Sequence, residues 1–206
     1  MVRLFTALGL PDDLRARLTA LQGGIDSARW VAPHNLHITL RFIGEVAEDR
    51  AHDIVAALDR IRTGPFPVTV SGTGRFGSDD RTRALWAGVE RTDALVALHE
   101  KIDRALINAG LAPESRKYTP HVTLARFGGG RDRSRDASAG RVLRWLEAQG
   151  GFFAMPFDAR EFILYESHLG RRGADYVPVA SFPLGPDEDR MGAQGEDREQ
   201  PHFPRP

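Results

Sequence analysis

Short stretches of the chain alternate apolar and polar residues, and this two-residue period is typical of β-strands with one buried face. The first stretch runs from Val2 to Leu10, where Leu4, Thr6 and Leu8 fall on one face. Others lie between turn-forming residues: Phe66 to Val70, Ala84 to Val89, Glu161 to Ser167 and Asp175 to Phe182. We therefore expect several short strands joined by turns rich in Gly, Pro and Asp.

Other stretches repeat apolar residues every three or four positions, which gives an α-helix a single buried stripe. Three stripes are predicted: Leu14, Leu18 and Leu21; Ile54, Leu58 and Ile61; and Leu95, Leu98, Ile102 and Leu106. A fourth, shorter helix begins at about Val142. The hydrophobic pattern therefore indicates a domain of mixed strands and helices, without separating the α/β from the α+β class.

One strand pattern occurs twice in the chain. Leu36 to Phe42 contains His37-Ile38-Thr39-Leu40, and Pro120 to Phe127 contains His121-Val122-Thr123-Leu124. In each copy the His and the Thr share one face of the strand while the aliphatic residues occupy the other. A single strand histidine is usually a hydrogen-bonded structural residue. Two copies 84 positions apart (121 − 37), each followed by Arg and Phe, instead indicate a duplicated domain in which each half supplies one imidazole to a shared cleft.

The composition fits one globular domain followed by a polar tail. The chain has 206 residues, of which 41% are hydrophobic, enough for one core or two closely fused lobes. From Gly185 onward apolar residues are scarce, so burial cannot offset the entropy of ordering this segment. We predict a folded domain over residues 1–184 and a disordered tail over residues 185–206.

Several classes of protein are excluded by what the sequence lacks. Without cysteine, the chain has no disulfides, thiolate catalysis or cysteine-based zinc sites. No apolar run could span a bilayer and no signal peptide is recognisable, so we expect a cytoplasmic protein without membrane contact. The formal net charge is +0, so any RNA binding must come from a local basic patch. Five further histidines lack metal-ligand spacing, and we expect no metal and no cofactor: His34, His52, His99, His168 and His202.

Two histidines that face one cleft favour general acid and base catalysis, because imidazole titrates near neutral pH. Opening a cyclic phosphodiester needs both roles: one imidazole deprotonates the attacking water while the other protonates the departing ribose oxygen. The hydroxyls of Thr39 and Thr123 can donate to non-bridging phosphate oxygens. Such charge-assisted hydrogen bonds contribute roughly 1.5–3 kcal/mol each, and the reaction requires no metal in principle.

The paired motifs resemble a known family. Together with Arg3 to Leu8, His37 to Glu45, Leu164 to Ser167 and Tyr176 to Val179, they are similar to the two-histidine phosphoesterase superfamily, and within it to the RNA 2′,3′-cyclic phosphodiesterases, once called 2′-5′ RNA ligases. The resemblance runs from about Val2 to about Leu184. It implies an α+β fold of two pseudo-duplicated lobes, whose small, largely antiparallel sheets face a central cleft with helices outside.

The resemblance also assigns roles to individual residues. It makes His37 the proton donor and His121 the proton acceptor, and it places Arg126 on the phosphate. The implied reaction is metal-independent hydrolysis of a terminal 2′,3′-cyclic phosphate on RNA or a nucleotide to a 2′-phosphate. Weak reverse 2′-5′ ligation is implied as well. We expect a monomer with no obligate protein partner.

Strand alternation conflicts with one of these roles and adds other candidates. Counting from His121 puts Arg126 on the opposite face, so a phosphate contact requires the strand to end or bulge at about Ala125. Arg41 lies on the His37 face by the same count and is a second phosphate candidate, or an ordinary surface arginine. Three aromatic residues are candidates for stacking a base: Phe42, Tyr118 and Trp30. The polar segment Gly128 to Gly140 is either a substrate lid or a solvated linker.

Three alternative functions remain open. The first is hydrolysis of another cyclic phosphate, such as an ADP-ribose cyclic phosphate or a small oligonucleotide messenger. The second is RNA binding without turnover, although Arg or Lys would serve pure binding as well as the two His and two Thr. The third is a metal hydrolase, against which each motif pairs His with Thr instead of a carboxylate or a second His.

Overall fold

The computed structural model describes residues 1–78, 81–128, 135–170 and 173–185. Within these residues the strands are β1 (Val2–Leu8), β2 (Ala28–Trp30), β3 (Ile38–Val46), β4 (Phe66–Val68), β5 (Val70–Ser78), β6 (Arg81–Val89), β7 (His121–Phe127), β8 (Phe157–Ala159), β9 (Glu161–Gly170) and β10 (Gly173–Pro183). The helices are α1 (Asp12–Ala20), α2 (Glu48–Leu58), α3 (Asp93–Asn108) and α4 (Arg135–Gln149), and a 3-10 turn spans Pro33–Asn35.

Most strands form one antiparallel sheet in the order β10-β9-β1-β3-β7-β6-β5, and β2 also pairs with β7. At the centre, β3 and β7 are joined through the single pair Ile38 and Val122. This pair divides the sheet into a first lobe (β1, β3, β9 and β10) and a second lobe (β2, β5, β6 and β7). Strands β4 and β8 form a separate two-stranded sheet. The predicted α+β class is confirmed.

Helices cover the buried side of both lobes. Helix α3 contacts β3 and α2, and its predicted stripe is fully buried: Leu95, Leu98, Ile102 and Leu106. Helix α4 contacts β5 and β6 of the second lobe. The indole N–H of Trp145 on α4 donates to the carbonyl of Leu21 just beyond α1, at 2.9 Å. Helix α1 follows β1 of the first lobe, and the residue just beyond it is hydrogen-bonded to α4 of the second lobe. The chain therefore crosses from the first lobe to the second at this point.

Each motif strand contains a β-bulge at the same place. On β3, Thr39 pairs with β1 and Arg41 pairs with β1, but Leu40 between them has no partner. On β7, Thr123 and Ala125 pair with β6 and Leu124 is skipped. An extra residue reverses the alternation of side chains beyond it. The bulge predicted near Ala125 is therefore confirmed, and it returns Arg126 to the face of His121 and Thr123.

The matching bulge in β3 turns Arg41 away from that face. Its side chain is only 6% exposed, and its guanidinium lies 2.6 Å from Asp103 on α3 and 3.5 Å from Glu114. It also donates to the carbonyl of Ala112 at 2.6 Å and to that of Phe42. The structure therefore contradicts the prediction that Arg41 binds phosphate, because its donors are committed to this buried network.

Other sequence predictions are corrected or lie outside the described part of the chain. Helix α4 begins at Arg135, so residues 135–140 are helical and do not belong to a loop that ends at Gly140. The rest of the lid prediction, residues 129–134, lies outside the described residues, as does the predicted tail from residue 186. Among the described residues, no helix has the length and apolarity needed to cross a membrane.

We expect Arg41→Met to lower the free energy of unfolding by about 3 kcal/mol, because it leaves the carboxylates of Asp103 and Glu114 without their buried cation. Urea denaturation followed by circular dichroism would measure the loss. Arg126→Met, which removes an exposed arginine two positions beyond the other bulge, is the control and should change the value by less than about 0.5 kcal/mol. Equal small changes in both variants would contradict a structural role for Arg41.

Candidate active site

The site is built around the pair that joins the two lobes. Ile38 and Val122 are fully buried, so their neighbours along each strand point to the opposite, open face. Antiparallel pairing at this point places His37 on the side of Thr123 and His121 on the side of Thr39. The structure thus brings the four predicted motif residues together. By this register, each motif histidine faces the threonine of the other motif across the two strands.

Both imidazoles are held in the same tautomer by backbone carbonyls. Nδ1 of His37 lies 2.7 Å from the carbonyl oxygen of Asn35, and Nδ1 of His121 lies 2.7 Å from that of Thr119. A carbonyl can only accept, so each Nδ1 carries a proton and donates it. Nε2 is then the unprotonated nitrogen of each ring. In His37 it lies 3.0 Å from the hydroxyl of Thr39.

The electrostatics of the site keep both imidazoles neutral at neutral pH. Burial lowers the pKa of His37 to about 4; the bond to Asn35 opposes this shift, and the charges of Arg126 and His121 add to it. Burial also lowers the pKa of His121, against the bond to Thr119 and together with the charge of Arg126. Without a bound anion, each Nε2 therefore offers a lone pair and neither ring offers a second proton.

Arg126 and Phe42 hold equivalent positions in the two lobes. Each follows its motif histidine by five residues and lies just beyond the bulge, on the face of the His and the Thr. Arg126 is exposed, and its charge acts on both imidazoles. Phe42 is 50% exposed, which is unusual for a large apolar side chain, and its ring lies 6.1 Å from that of Phe5. The structure therefore brings both residues to the site.

Two of the predicted stacking residues lie elsewhere. Trp30 pairs with Ala125, so it shares the buried face of β7, and its ring packs at 6.0 Å from Trp145. Tyr118 stacks on His99 at 4.0 Å, and burial raises the pKa of its hydroxyl. Both predictions are wrong because these rings pack against α4 and α3 and do not face the cleft.

Aromatic residues that the sequence analysis missed flank each imidazole. In the first lobe, the rings of Phe5, Tyr176 and Tyr165 lie 4.9, 5.2 and 6.3 Å from His37. In the second lobe, those of Phe76 and Trp86 lie 4.8 and 6.4 Å from His121. Strand alternation already placed Phe5 opposite the buried Leu4, Thr6 and Leu8. The missing information was that β1, β9 and β10 lie side by side, which no local pattern reveals.

The carbonyl freed by each bulge has its own hydrogen-bond donor. His99 on α3 lies with Nδ1 2.8 Å from the carbonyl of Leu40. The carbonyl of Leu124 accepts from the backbone N–H of Val31 at 2.9 Å and from the side chain of Gln22 at 3.4 Å. Because buried carbonyls need partners, these donors stabilise the bulges and so the direction of the side chains that follow.

Chemically, the arrangement can bind an anion and move protons on both sides of it. Two hydroxyls and one guanidinium can donate to phosphate oxygens, and two imidazoles face the same volume. Within the described residues, no group of three or more His, Asp or Glu side chains is placed to hold a metal ion. The site therefore has the components of general acid and base catalysis on a phosphate ester.

Comparison with known proteins supports this description. The LigT-like phosphoesterase family matches residues 8–86 and 88–176, with one His-x-Thr motif in each matched segment. The chain is 34% identical over 189 residues to the RNA 2′,3′-cyclic phosphodiesterase of Methanothermobacter thermautotrophicus, covering 89% of this chain and 99% of that protein. It is 32% identical over 206 residues to that of Thermus thermophilus, covering 94% of this chain and 96% of the relative.

Solved structures agree with the sequence comparisons. A crystal structure of a phosphoesterase matches with a TM-score of 0.73 at 25% identity, over 90% of this chain and 99% of the other. E. coli LigT complexed with 3′-AMP matches with a TM-score of 0.70 at 26% identity, over 89% and 98%. The match extends over both lobes and both motif strands, and the chain belongs to the LigT-like family of two-histidine phosphoesterases.

Proposed function

We propose that this phosphoesterase hydrolyses the 2′,3′-cyclic phosphate at the end of RNA or of a nucleotide to a 2′-phosphate, without a metal ion. The observation that carries the proposal is the pair of imidazoles on one open face of the sheet, each with Nδ1 donating to a backbone carbonyl and Nε2 left as the nitrogen that can accept a proton. The names of the relatives, RNA 2′,3′-cyclic phosphodiesterases from several organisms, favour this substrate over another cyclic phosphate.

The proposed reaction is an in-line displacement at phosphorus. Nε2 of His121 accepts a proton from water as the water oxygen bonds to phosphorus. The bond from phosphorus to O3′ breaks, and protonated His37 donates its Nε2 proton to O3′. The phosphate stays on O2′, and one net water has been added. A 5′-hydroxyl in place of water would give a 2′-5′ phosphodiester by the same route, which is the weak ligation we propose alongside hydrolysis.

When the substrate binds, His37 must take up from solvent the proton that it later donates. In the free site its pKa is about 4, so it is neutral at pH 7. A phosphodiester carries a negative charge, and a nearby negative charge raises the pKa of an imidazole. Bound between the two rings, the substrate opposes the charge of Arg126 and favours protonation of one of them. Binding of the substrate therefore favours the protonated imidazole that acts as the acid in its own hydrolysis.

The remaining site residues position the substrate. Thr39 and Thr123 donate to the non-bridging oxygens, and Arg126 balances the charge that grows there in the transition state. Phe42 offers half of its ring to solvent on the same face as Thr39, where it can stack the terminal base. We propose Phe42 as the stacking residue on this basis.

Loss of either imidazole should reduce hydrolysis of a 2′,3′-cyclic nucleotide at least about a hundredfold, because each proton transfer contributes on that order. His37→Ala and His121→Ala would be compared with the wild type in excess chelator. His52→Ala, which removes an exposed histidine on α2, is the control and should keep full activity. Phosphorus NMR should show the 2′-phosphate. A dominant 3′-phosphate, or activity lost in chelator, would contradict the proposal, and binding without turnover would favour an RNA-binding module.

A substrate with sulfur in place of O3′ should separate the acid from the base. A thiol has a pKa of about 8.5, far below that of an alcohol, so the thiolate leaves without a proton donor. We expect His37→Ala to hydrolyse this substrate within about tenfold of the wild-type rate, while His121→Ala stays inactive. If His121→Ala hydrolysed this substrate and His37→Ala did not, His121 would be the acid and His37 the base.

Arg126→Met should raise the pKa of both His37 and His121 in the free enzyme, because the guanidinium disfavours the protonated form of each ring. Heteronuclear NMR titration of the imidazoles would measure both values. Arg104→Met, on the exposed side of α3, is a matched loss of charge and should leave both values unchanged. Unchanged values in Arg126→Met would show that its charge does not reach the imidazoles.

A further inference from the structure

A second arginine lies beside Arg126 on the open face of the second lobe. Strand β2 pairs with the end of β7 so that Arg29 is directly opposite Arg126. Residues that are directly opposite in an antiparallel pair project from the same face, about 4.5–5.5 Å apart at Cβ. Arg29 therefore shares the face of His121, Thr123 and Arg126. Both arginines are exposed, so an anion can reach both.

This pairing of like charges needs an explanation. Like charges directly opposite each other destabilise a sheet, whereas opposite charges stabilise it. In the first lobe, the cross-strand partner of Arg3 is Glu45. No hydrogen bond or ion pair to another described residue compensates Arg29 or Arg126. Two exposed guanidinium groups at one place, neither paired with an acid in the described part of the chain, are suited to bind a polyanion.

The guanidinium of Arg29 lies farther from the imidazoles than Arg126 does along β7. Its Nη2 lies 3.8 Å from the position that a Cβ atom on Gly128 would occupy. Gly128 follows the last residue of β7, whereas His121 is the first. The order along this face is therefore His121, Thr123, Arg126 and then the Arg29 guanidinium.

We infer that Arg29 forms a second phosphate site, which binds the phosphodiester that precedes the terminal nucleotide of an RNA. The inference rests on the proposed function: with the cyclic phosphate at the imidazoles and Arg126, the next negative charge of the strand meets Arg29. Its forked N–H groups match two phosphate oxygens. The preferred substrate is then an oligonucleotide with a cyclic end, and a cyclic mononucleotide is a poorer one.

Three probes test the site, and the two dinucleotides among them differ only in the charge of their internal linkage. They are uridine 2′,3′-cyclic phosphate, diuridine with the same cyclic end, and that dinucleotide with an uncharged methylphosphonate as its internal linkage. We expect Arg29→Ala to lower kcat/KM about tenfold on the charged dinucleotide, mainly through KM, and to leave the other two probes within about twofold. Arg104→Ala, which removes an exposed arginine on α3, should change none of the three. Circular dichroism would confirm that the variants are folded.

The outcomes separate this inference from the proposed function. Equal losses on all three probes would place Arg29 at the scissile phosphate and overturn the second site. No loss on the charged dinucleotide would overturn it too. In both cases turnover of the cyclic mononucleotide by the wild type would leave the proposed function intact. Absence of wild-type turnover on every probe would instead overturn the proposed function, and the inference with it.

Discussion

The arrangement of the site depends on one extra residue in each motif strand. Leu40 and Leu124 have no partner in their ladders, and each insertion reverses the side-chain alternation beyond it. The carbonyls of these residues are bound by donors from outside the strand pair, His99 on α3 for one and Val31 with Gln22 for the other. The direction of the residues next to the motifs is therefore stabilised by hydrogen bonds from residues outside the two motifs.

The same bulge brings different side chains to the site in the two lobes. Two residues beyond the bulge, the first lobe has the aromatic Phe42 and the second has the cationic Arg126. The imidazoles themselves are alike in tautomer and in the direction of their pKa shifts. Under the proposed function, the difference between acid and base therefore comes from the flanking side chains, which seat the nucleoside in one lobe and the phosphate charge in the other.

The sequence predicted what depends on local pattern. The paired His and Thr, the α+β class and the buried stripe of α3 follow from periodicity, repetition and family resemblance. The prediction that Arg41 binds phosphate was wrong because side-chain alternation reverses at a bulge that no hydrophobic pattern marks. Both copies also end in Arg followed by Phe, although these residues do not hold equivalent positions. Because both strands have a bulge directly after the motif threonine, Arg126 corresponds to Phe42, and Arg41 to the buried Ala125. The surroundings of Trp30 and Tyr118 depend on which strand or helix lies beside them, which the sequence does not show. The position of Arg29 next to Arg126 follows only from the β2–β7 register.

The single pair of Ile38 and Val122 also determines how constant the site can be. Neighbouring strands lie about 4.7–4.9 Å apart, a spacing imposed by backbone hydrogen bonds and not by the identity of side chains. The two histidines are diagonal neighbours across this pair, so their separation is set by that spacing and by the rise of two residues along a strand. Neither the lengths of the loops nor the angles of the helices enter into it. Insertions and deletions elsewhere in the chain can then accumulate during evolution without altering the distance across which the two imidazoles face each other.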